Sequence, residues 1–379
     1  YNTLVNSAHQ FFVHREHEDY VLAGYPWFKC RARDMFISLP GLTLTNNEVK
    51  KFDDVMETAE KAIRQFMAGE PIEVSVTEME HPDVLLWAVW SLQQYAKAVG
   101  LDKCYEKYGT LVERIMQFIW EGKHPNLFVH DNGLLYSNGR DQAVTWMNST
   151  AYGRPIVPRS GYIVEFNALY YNAKRFFQQM LLQSGTKANA AIAEQIEAEC
   201  KLMEESFRNV FLNEFGYLFD YVDGDYTDWS VRPNMIFSVA LEYSPLSQDQ
   251  KKKVLDICTR ELLTPKGLRT LSPKSDGYNP MYVGPQAQRD YAYHQGTAWP
   301  WLFGFYMEAS MKLYKRTRLS FIERQMVGYE EEMMYHCLGT LPELFDGNPP
   351  FHGRGAISFA MNVSGIMRVV KLLDNYNNL

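Results

Sequence analysis

Apolar residues recur at helical spacing from one end of this 379-residue chain to the other. The clearest stretch runs from Val84 to Val99, where Leu85 and Leu92 belong to a repeat of three to four positions that is typical of a helix. Asp83 precedes it in a segment that resembles a helix cap, and Ser247 with Gln250 has the spacing of a capping box. The predicted helical segments are 2–14, 32–45, 47–69, 82–99, 101–121, 162–184, 186–211, 231–243, 247–263, 293–316, 318–337 and 354–375.

These twelve segments follow one another without a composition break or a low-complexity linker that would divide the chain. The order favours an all-α fold over residues 1–379 as a single domain, with an inner and an outer ring of six helices, an (α/α)6 toroid. A helical solenoid and two stacked bundles are the competing arrangements.

Strand signals are confined to the connections between helices. Leu127 to Tyr136 has apolar residues on both sides of Asp131-Asn132-Gly133, which favours a hairpin, and a second ribbon is predicted near Tyr217 to Tyr221. Long ordered connections inside a compact domain are usually functional. Because such connections alternate with short turns, we expect them to carry the site at one mouth of the toroid. They span about 123–160, 212–230, 264–292 and 338–353.

Composition argues against several classes of partner. The net charge of -7 disfavours nucleic acid and anionic membranes, because both select clustered Lys and Arg. The chain has no run of about 18 apolar residues, so no membrane span is expected. Its five cysteines lack the short spacing of a metal or redox motif, which favours reduced thiols in a cytoplasmic protein. Neither a metal site nor a cofactor is predicted.

Aromatic residues make up 14% of the chain. Sugars present flat C–H faces that stack on aromatic rings, so a sugar-binding protein would use such a surplus. A large helical core uses aromatic residues as well, and composition alone favours the core.

A polar pair enters an apolar stretch early in the chain. Arg33 and Asp34 open a predicted helix shortly after Trp27. They fit an internal ion pair at a helix start, where an Asp also interacts favourably with the helix dipole. They fit equally well a pair that holds sugar hydroxyls, with Trp27 as a stacking surface.

A second polar group spans a connection and the helix that follows it. Trp146 and Asn148 lie in the connection, and Glu165 and Asn167 begin the helix. Glu165 is either a routine charge at a helix start or part of a site. An aromatic ring, an amide and a carboxylate near one loop would suit a sugar.

The segment Tyr293 to Trp301 has an unusual composition for a helix start, with a glycine, a proline and two tryptophans. Departures from structural rules concentrate at functional sites. His294 and Gln295 supply hydrogen-bonding groups, and Trp299 supplies a ring. This density of polar and aromatic groups favours a binding site over a structural role for His294.

Glu343 lies between apolar residues in a loop bounded by Pro342 and Gly347. A carboxylate in such a place is either buried with a partner or catalytic.

Taken in chain order, these groups resemble the C-terminal amylo-α-1,6-glucosidase domain of glycogen debranching enzymes, in particular the bacterial type. The resemblance covers nearly the whole chain, and the ordered set is more specific than any single motif. The matching segments are Tyr25-Pro26-Trp27-Phe28 with Arg33-Asp34, Thr145-Trp146-Met147, Pro158-Arg159, Glu165 to Leu169, Arg232-Pro233-Asn234, Tyr293 to Trp301, and Pro342-Glu343 with Asp346-Gly347.

The resemblance implies an (α/α)6 barrel that releases α-1,6-linked glucose, with inversion, from glycogen or a related branched glucan. Inversion needs an acid and a base about 6.5–9.5 Å apart to admit a water molecule. Glu343 matches the family's base. Bacterial members usually carry a β-rich domain ahead of the barrel, which a chain starting at Tyr1 would lack. The residues expected to bind the terminal glucose are Arg33, Asp34, Trp146, Asn148, His294, Gln295 and Trp299.

One position departs from the family. The general acid is an Asp that follows Thr-Trp-Met, and this chain has Asn148 there. An amide cannot donate a proton as a carboxylic acid does, and acid–base steps contribute about 10²–10⁴-fold. Glu165, or otherwise Asp141, could serve as the acid. Alternatively, the domain could bind glucan with little hydrolysis. Asn148 could also reflect a different glycosidic substrate, whose leaving group needs less help.

The retained pocket favours the enzyme, with Glu343 and Glu165 as its catalytic carboxylates. Sugar epimerisation on the same fold is a weaker hypothesis, because an epimerase would need paired histidines and His294 has no evident partner.

Overall fold

The structure, a computed structural model, describes residues 1–377. Helices account for most of this part of the chain. They are α1 (Asn2–His9), α2 (Ala32–Thr43), α3 (Val49–Ala68), α4 (Val84–Val99), α5 (Leu101–Trp120), α6 (Val164–Gln183), α7 (Lys187–Phe211), α8 (Phe237–Ala240), α9 (Gln248–Leu262), α10 (Gln286–Ala292), α11 (Pro300–Tyr314), α12 (Leu319–Tyr335) and α13 (Ala360–Asn377).

Six helices form a closed inner ring. Helices α2, α4, α6, α8, α11 and α13 each contact the next, and α13 returns to α2. Helices α3, α5, α7 and α9 pack outside α2, α4, α6 and α8, and α1 packs outside α13. The rings of Phe303 and Tyr329, 5.5 Å apart, join α11 to α12. The predicted (α/α)6 toroid is confirmed, since neither a solenoid nor stacked bundles would close into a ring.

The helices of the two rings differ in how much of their surface is buried. Every residue of α2 is buried, whereas α3 buries only one face. A helix surrounded by others must be apolar around its circumference, and an outer helix needs only one apolar stripe. Glycine allows close approach inside the ring: a Cβ on Gly304 of α11 would lie 3.0 Å from the carbonyl oxygen of Gly365 on α13.

Several predicted boundaries are wrong for local reasons. The segment 2–14 ends its helix at His9, because Phe12–Arg15 pairs with Glu18–Val21 as a hairpin. The segment 231–243 begins with a 3-10 turn at Pro233–Ile236, which leaves only four residues for α8. Helix α10 was not predicted. The capping box at Ser247 is confirmed, with both of its hydrogen bonds formed.

The strands are short and lie in the connections. They are β1 (Phe12–Arg15), β2 (Glu18–Val21), β3 (Gly24–Tyr25), β4 (Phe128–Val129), β5 (Leu135–Ser137), β6 (Thr150–Ala151), β7 (Arg154–Pro155), β8 (Gly161–Ile163), β9 (Tyr221–Asp223), β10 (Tyr226–Thr227), β11 (Leu263–Thr264), β12 (Gly267–Arg269), β13 (Ala298–Trp299), β14 (Leu344–Phe345), β15 (Gly353–Arg354) and β16 (Ser358–Phe359).

The strands form two five-stranded sheets, β10-β9-β8-β5-β4 and β11-β12-β13-β14-β15, and three two-stranded ribbons. The hairpin predicted at 127–136 is confirmed as β4–β5, whereas the ribbon predicted near 217–221 lies a few residues later as β9–β10.

The connections that precede the six inner helices meet around one mouth. Direct contacts join five neighbouring pairs of these connections: Arg31 with Thr77, β8 with β9, Ser272 with Val231, β13 with β14, and β16 with β3. Arg33 of α2 links the remaining pair, because it bonds both to Asp83 and to the carbonyl of Val144.

The five cysteines, all within residues 1–377, are buried and unpaired. Among the helices of residues 1–377, none has the length and apolar character that a membrane crossing requires.

Candidate active site

Glu343 lies in the mouth immediately before β14, and the residue is 2% exposed. Its Oε2 accepts a hydrogen bond of 2.8 Å from the backbone N–H of Ala356. Its Oε1 is buried and has no hydrogen-bond partner among residues 1–377. Burial raises the pKa of Glu343 to about 8, and the nearby carboxylate of Asp34 acts in the same direction. Such an oxygen, once ionised, can accept a proton from a water molecule.

The backbone around Glu343 is fixed from two sides. Asn362 of α13 donates 2.7 Å to the carbonyl oxygen of Glu343 and accepts 2.9 Å from the N–H of Trp301, the second residue of α11. Asp346 is fully buried and accepts two hydrogen bonds, of 2.8 and 2.9 Å, from Arg354. The inner ring and the sheet together hold the carboxylate in one position.

Arg33 pairs with Asp83 and not with its neighbour Asp34. The guanidinium donates 2.7 and 2.8 Å to the two oxygens of Asp83, and both side chains are buried. The internal ion pair expected as one alternative is therefore present, with a different partner. Asp83 was expected to cap α4, but its side chain makes no cap bond and accepts from Trp87 instead. Asp34, 6% exposed, is close enough to Glu343 to influence its pKa.

A buried ionic cluster surrounds Glu165. Arg159 contacts both oxygens of Glu165, with Nη1 to Oε1 and with Nη2 to Oε2 at 2.6 Å. The same guanidinium donates 2.6 Å to Asp220, which also accepts 2.8 Å from Asn234. Because both oxygens are held by Arg159, this geometry argues against Glu165 as the acid and favours a structural role. Asp141, the other carboxylate considered, is exposed.

Two tryptophans from distant segments meet beside this cluster. The rings of Trp146 and Trp299 lie edge to face with centroids 5.6 Å apart, and both residues are buried. Trp146 donates 2.7 Å to Asn234, and Trp299 donates 3.2 Å to the carbonyl oxygen of Tyr293. Their orientation is therefore fixed by hydrogen bonds as well as by packing. Trp27, in contrast, is 58% exposed in the connection between β3 and α2.

His294 stacks on Trp299 with ring centroids 5.4 Å apart. Its Nδ1 lies 3.3 Å from Ser149 Oγ, and its buried Nε2 has no partner among residues 1–377. Burial and the charge of nearby Arg232 hold the pKa of His294 well below its usual range, so the ring is neutral. Gln295 accepts 2.7 Å from Arg232. His294 thus has one ring nitrogen available to a ligand hydroxyl.

Asn148 directly precedes Ser149, which places it on the same segment as the His294 contact. The residue is half-buried. It follows Met147, whose sulfur contacts the buried Asn234. The position expected to hold an acid therefore lies on the segment that contacts His294, and it offers an amide.

The groups that could bind a metal lie elsewhere on the described chain. Glu332, His336 and Cys337 have ligand atoms within 4.8 Å of one another at the end of α12. Burial raises the pKa of the Cys337 thiol to about 12, which disfavours the thiolate that a metal requires. Lys266 also lies 3.4 Å from Glu332. This cluster is therefore an ion-pair network at the end of α12.

Three residues of the site were missed by the sequence analysis. Asp83 stands at the cap position of α4, as the sequence predicts, but its carboxylate bonds to Arg33 and Trp87 and does not cap the helix. Asp220 lies between two aromatic residues, a signal that a buried carboxylate was present. Asn362 lies in an apolar helix, and a buried amide there could have been identified as a candidate hydrogen-bonding residue.

Comparison with known proteins supports the family resemblance found in the sequence. The sequence family described as amylo-alpha-1,6-glucosidase matches residues 6–368. The glycogen debranching enzyme of Saccharomyces cerevisiae is 26% identical over 262 residues, which cover 58% of this chain and 16% of the yeast protein. The chain thus spans only a small part of that relative.

Solved structures of the same fold include glycoside hydrolases. The mannosylglycerate hydrolase of Thermus thermophilus, from family GH63 and in complex with glucose, has a TM-score of 0.66 at 11% identity, covering 96% of this chain and 99% of that one. A bacterial glucoamylase in complex with acarbose has a TM-score of 0.61 at 14% identity, covering 100% and 56%. These likenesses support the toroid, and the family match covers nearly the whole chain. The chain belongs to the amylo-alpha-1,6-glucosidase family.

Proposed function

We propose that this chain is an inverting glycoside hydrolase that releases terminal α-1,6-linked glucose from glycogen or a related branched α-glucan. The observation that carries the proposal is the buried carboxylate of Glu343, whose Oε2 is held by Ala356 and whose Oε1 has no hydrogen-bond partner in the part of the chain that the structure describes. Family membership supports the substrate class. The five buried, unpaired cysteines support a cytoplasmic location, and we propose that residues 1–379 act as one domain.

In the proposed reaction, Glu343 Oε1 removes a proton from a water molecule while the water oxygen attacks the anomeric carbon. The bond from that carbon to the O6 oxygen of the next glucose breaks, and this oxygen must gain a proton. Asp34, Trp146, His294, Gln295 and Trp299 would bind the terminal glucose. Inversion follows because water enters on the face opposite the leaving group.

The second candidate function is glucan binding with little or no hydrolysis. Two observations favour it: Asn148 stands where the family has its acid, and Glu165 is held by Arg159 at both oxygens. Without an acid, the leaving oxygen must take its proton from solvent, at a cost of about 10²–10⁴-fold in rate. We rank slow hydrolysis ahead of binding alone because the base and the aromatic pocket are retained.

Glucose release separates the two functions. The purified chain is incubated with a branched limit dextrin and with panose, whose terminal glucose is α-1,6-linked. We expect slow release that Glu343→Gln abolishes and that the exposed control Glu121→Gln leaves unchanged. Affinity electrophoresis in glycogen measures binding on the same samples. Wild-type protein that binds glycogen but releases no glucose over long incubation would establish the second function.

A further inference from the structure

A two-stranded ribbon leads from the candidate site out into solvent. Its strands, β6 and β7, are joined by the two-residue loop Tyr152-Gly153. The segment starts at the buried Met147 and passes Ser149, whose Oγ lies 3.3 Å from His294 Nδ1. It then reaches Tyr152, which is fully exposed. At the rise of about 3.3 Å per residue in a strand, Tyr152 lies within about 10 Å of Ser149.

The base of this ribbon is fixed relative to the site, whereas its tip is free. Helix α10 packs against β6 and ends at Ala292, two residues before His294. The N–H of Ile156 donates 3.0 Å to the carbonyl oxygen of Ser149, which closes the ribbon at its base. At the tip, a Cβ placed on Gly153 would meet no atom within 4 Å. A ligand that extends out of the pocket can therefore reach the tip.

Tyr152 is an unusual residue for this turn. Both loop residues have a left-handed backbone, with φ of +52° at Tyr152 and +77° at Gly153. Such two-residue hairpin loops favour Asn-Gly, because a bulky side chain is strained at positive φ. A fully exposed ring gains almost no burial energy in return. Strain that brings no structural benefit is typical of residues that contact a ligand.

The position of the ribbon determines which part of a ligand it meets. Asn148, which stands where the family has the acid that protonates the leaving oxygen, opens the same segment. The glucan beyond that oxygen must leave the pocket through the mouth on the side of Asn148. An exposed ring suits the flat C–H face of a sugar. Residues 148–155 carry a single charge, at Arg154, which disfavours a strongly charged partner.

We propose that Tyr152 is a stacking platform on the leaving-group side of the site, and that it binds a glucose unit beyond the one that is released. The inference rests on the proposed function, because the terminal glucose must occupy the pocket. Tyr152 would then increase the affinity for branched glucans and leave the affinity for a single glucose unchanged. It is a specificity-determining residue that favours long substrates over short ones.

The test measures equilibrium binding to Glu343→Gln protein, which does not consume the substrate. Isothermal titration calorimetry with a branched limit dextrin and with glucose compares this protein with and without Tyr152→Asn. Because Asn suits the left-handed turn, urea unfolding should show no loss of stability. We expect the affinity for limit dextrin to fall about 2–10-fold and the affinity for glucose to stay the same. Tyr152→Phe, which keeps the ring, should retain both affinities.

Tyr1→Ala is the control for an exposed tyrosine away from the mouth. Tyr1 is 54% exposed, and its hydroxyl donates to the carbonyl oxygen of Thr45, just beyond the end of α2 that lies opposite the mouth. This variant should change neither affinity.

Three results would overturn the proposal: Tyr152→Asn weakens both ligands equally, Tyr152→Asn weakens neither, or the parent protein binds limit dextrin no more tightly than glucose. Glucose release by protein that retains Glu343 is measured separately. If no glucose is released while Tyr152→Asn still weakens the binding of limit dextrin, the hydrolase function is lost and the platform is retained.

Discussion

The N–H of Ala356 lies 2.8 Å from Glu343 Oε2, and Gly355, the residue before Ala356, allows this approach. Gly355 has a left-handed backbone with φ of +71°, and a Cβ placed on it would lie 2.3 Å from the same oxygen. The carboxylate is therefore positioned by a residue that can only be glycine.

Gly355→Ala is expected to displace Glu343 and lower glucose release by about 100-fold, because a catalytic group displaced by about 1 Å loses rate on this order. The left-handed backbone also costs about 1–2 kcal/mol of stability for any residue with a Cβ. Gly122→Ala is the matched control, because Gly122 has φ of +64° and open space around its Cβ position. Urea unfolding should show a loss for both variants, and a larger one for Gly355→Ala because its Cβ also meets Glu343. Equal activities in the two would contradict the assignment.

The pH dependence of glucose release should follow Glu343. Since burial raises the pKa of Glu343 to about 8, the base is mostly protonated at neutral pH and activity should rise as pH increases through about 8. Initial rates on panose between pH 5 and 10 measure this. A flat profile across pH 7–9 would exclude Glu343 as the base.

The ionisation of Glu343 should also affect stability, which should fall as pH rises while activity increases. The raised pKa means that the native state binds the Glu343 proton more tightly than the unfolded chain does. Wild-type stability from this group is therefore complete below about pH 4.5 and is lost as pH rises to about 8. The free energy of unfolding of Glu343→Gln, relative to that of wild type, should therefore increase by about 1.4 kcal/mol for each pH unit across this window. Urea unfolding at pH 5 and pH 8.5 gives the comparison.

Much of the fold was predictable because helix period and burial are local properties. The largely apolar inner helices and the long connections before them are visible in the sequence, and so is Glu343 in its loop. The twelve predicted segments include all six helices of the inner ring. Periodicity alone did not detect that the first helix ends at His9, or that a 3-10 turn begins at Pro233.

The bonding within the site was less predictable because its partners are distant in the chain. Arg33 finds Asp83 across 50 positions, and Arg159 finds Asp220 across 61. Sequence spacing cannot identify such pairs, since they depend on how the mouth loops meet. Glu165 and Arg159 are only six positions apart, but their pairing also depends on the tertiary structure, because β8 and the start of α6 set the direction of both side chains.

Asn148→Asp is expected to raise glucose release from panose about 10²–10⁴-fold, because a carboxylic acid can then protonate the leaving oxygen. The gain should be much smaller on 4-nitrophenyl α-glucoside, whose leaving group needs no proton. Asn148→Ala controls for the loss of the amide. Equal gains on both substrates, or no gain on either, would show that position 148 does not face the leaving group.

Arg159→Met should destabilise the protein by about 3–5 kcal/mol, because it leaves Glu165 and Asp220 buried without their cation. Arg140→Met is the comparison: Arg140 also pairs with an Asp, at 2.7 Å, but its side chain is 73% exposed, and its loss should cost much less stability because solvent screens the pair. Urea unfolding measures both.

Adding Glu165→Gln to Arg159→Met removes one of the stranded charges and should recover part of the loss. If Glu165→Gln alone abolished glucose release while stability was unchanged, Glu165 would be catalytic and the structural role argued from its two bonds to Arg159 would be wrong.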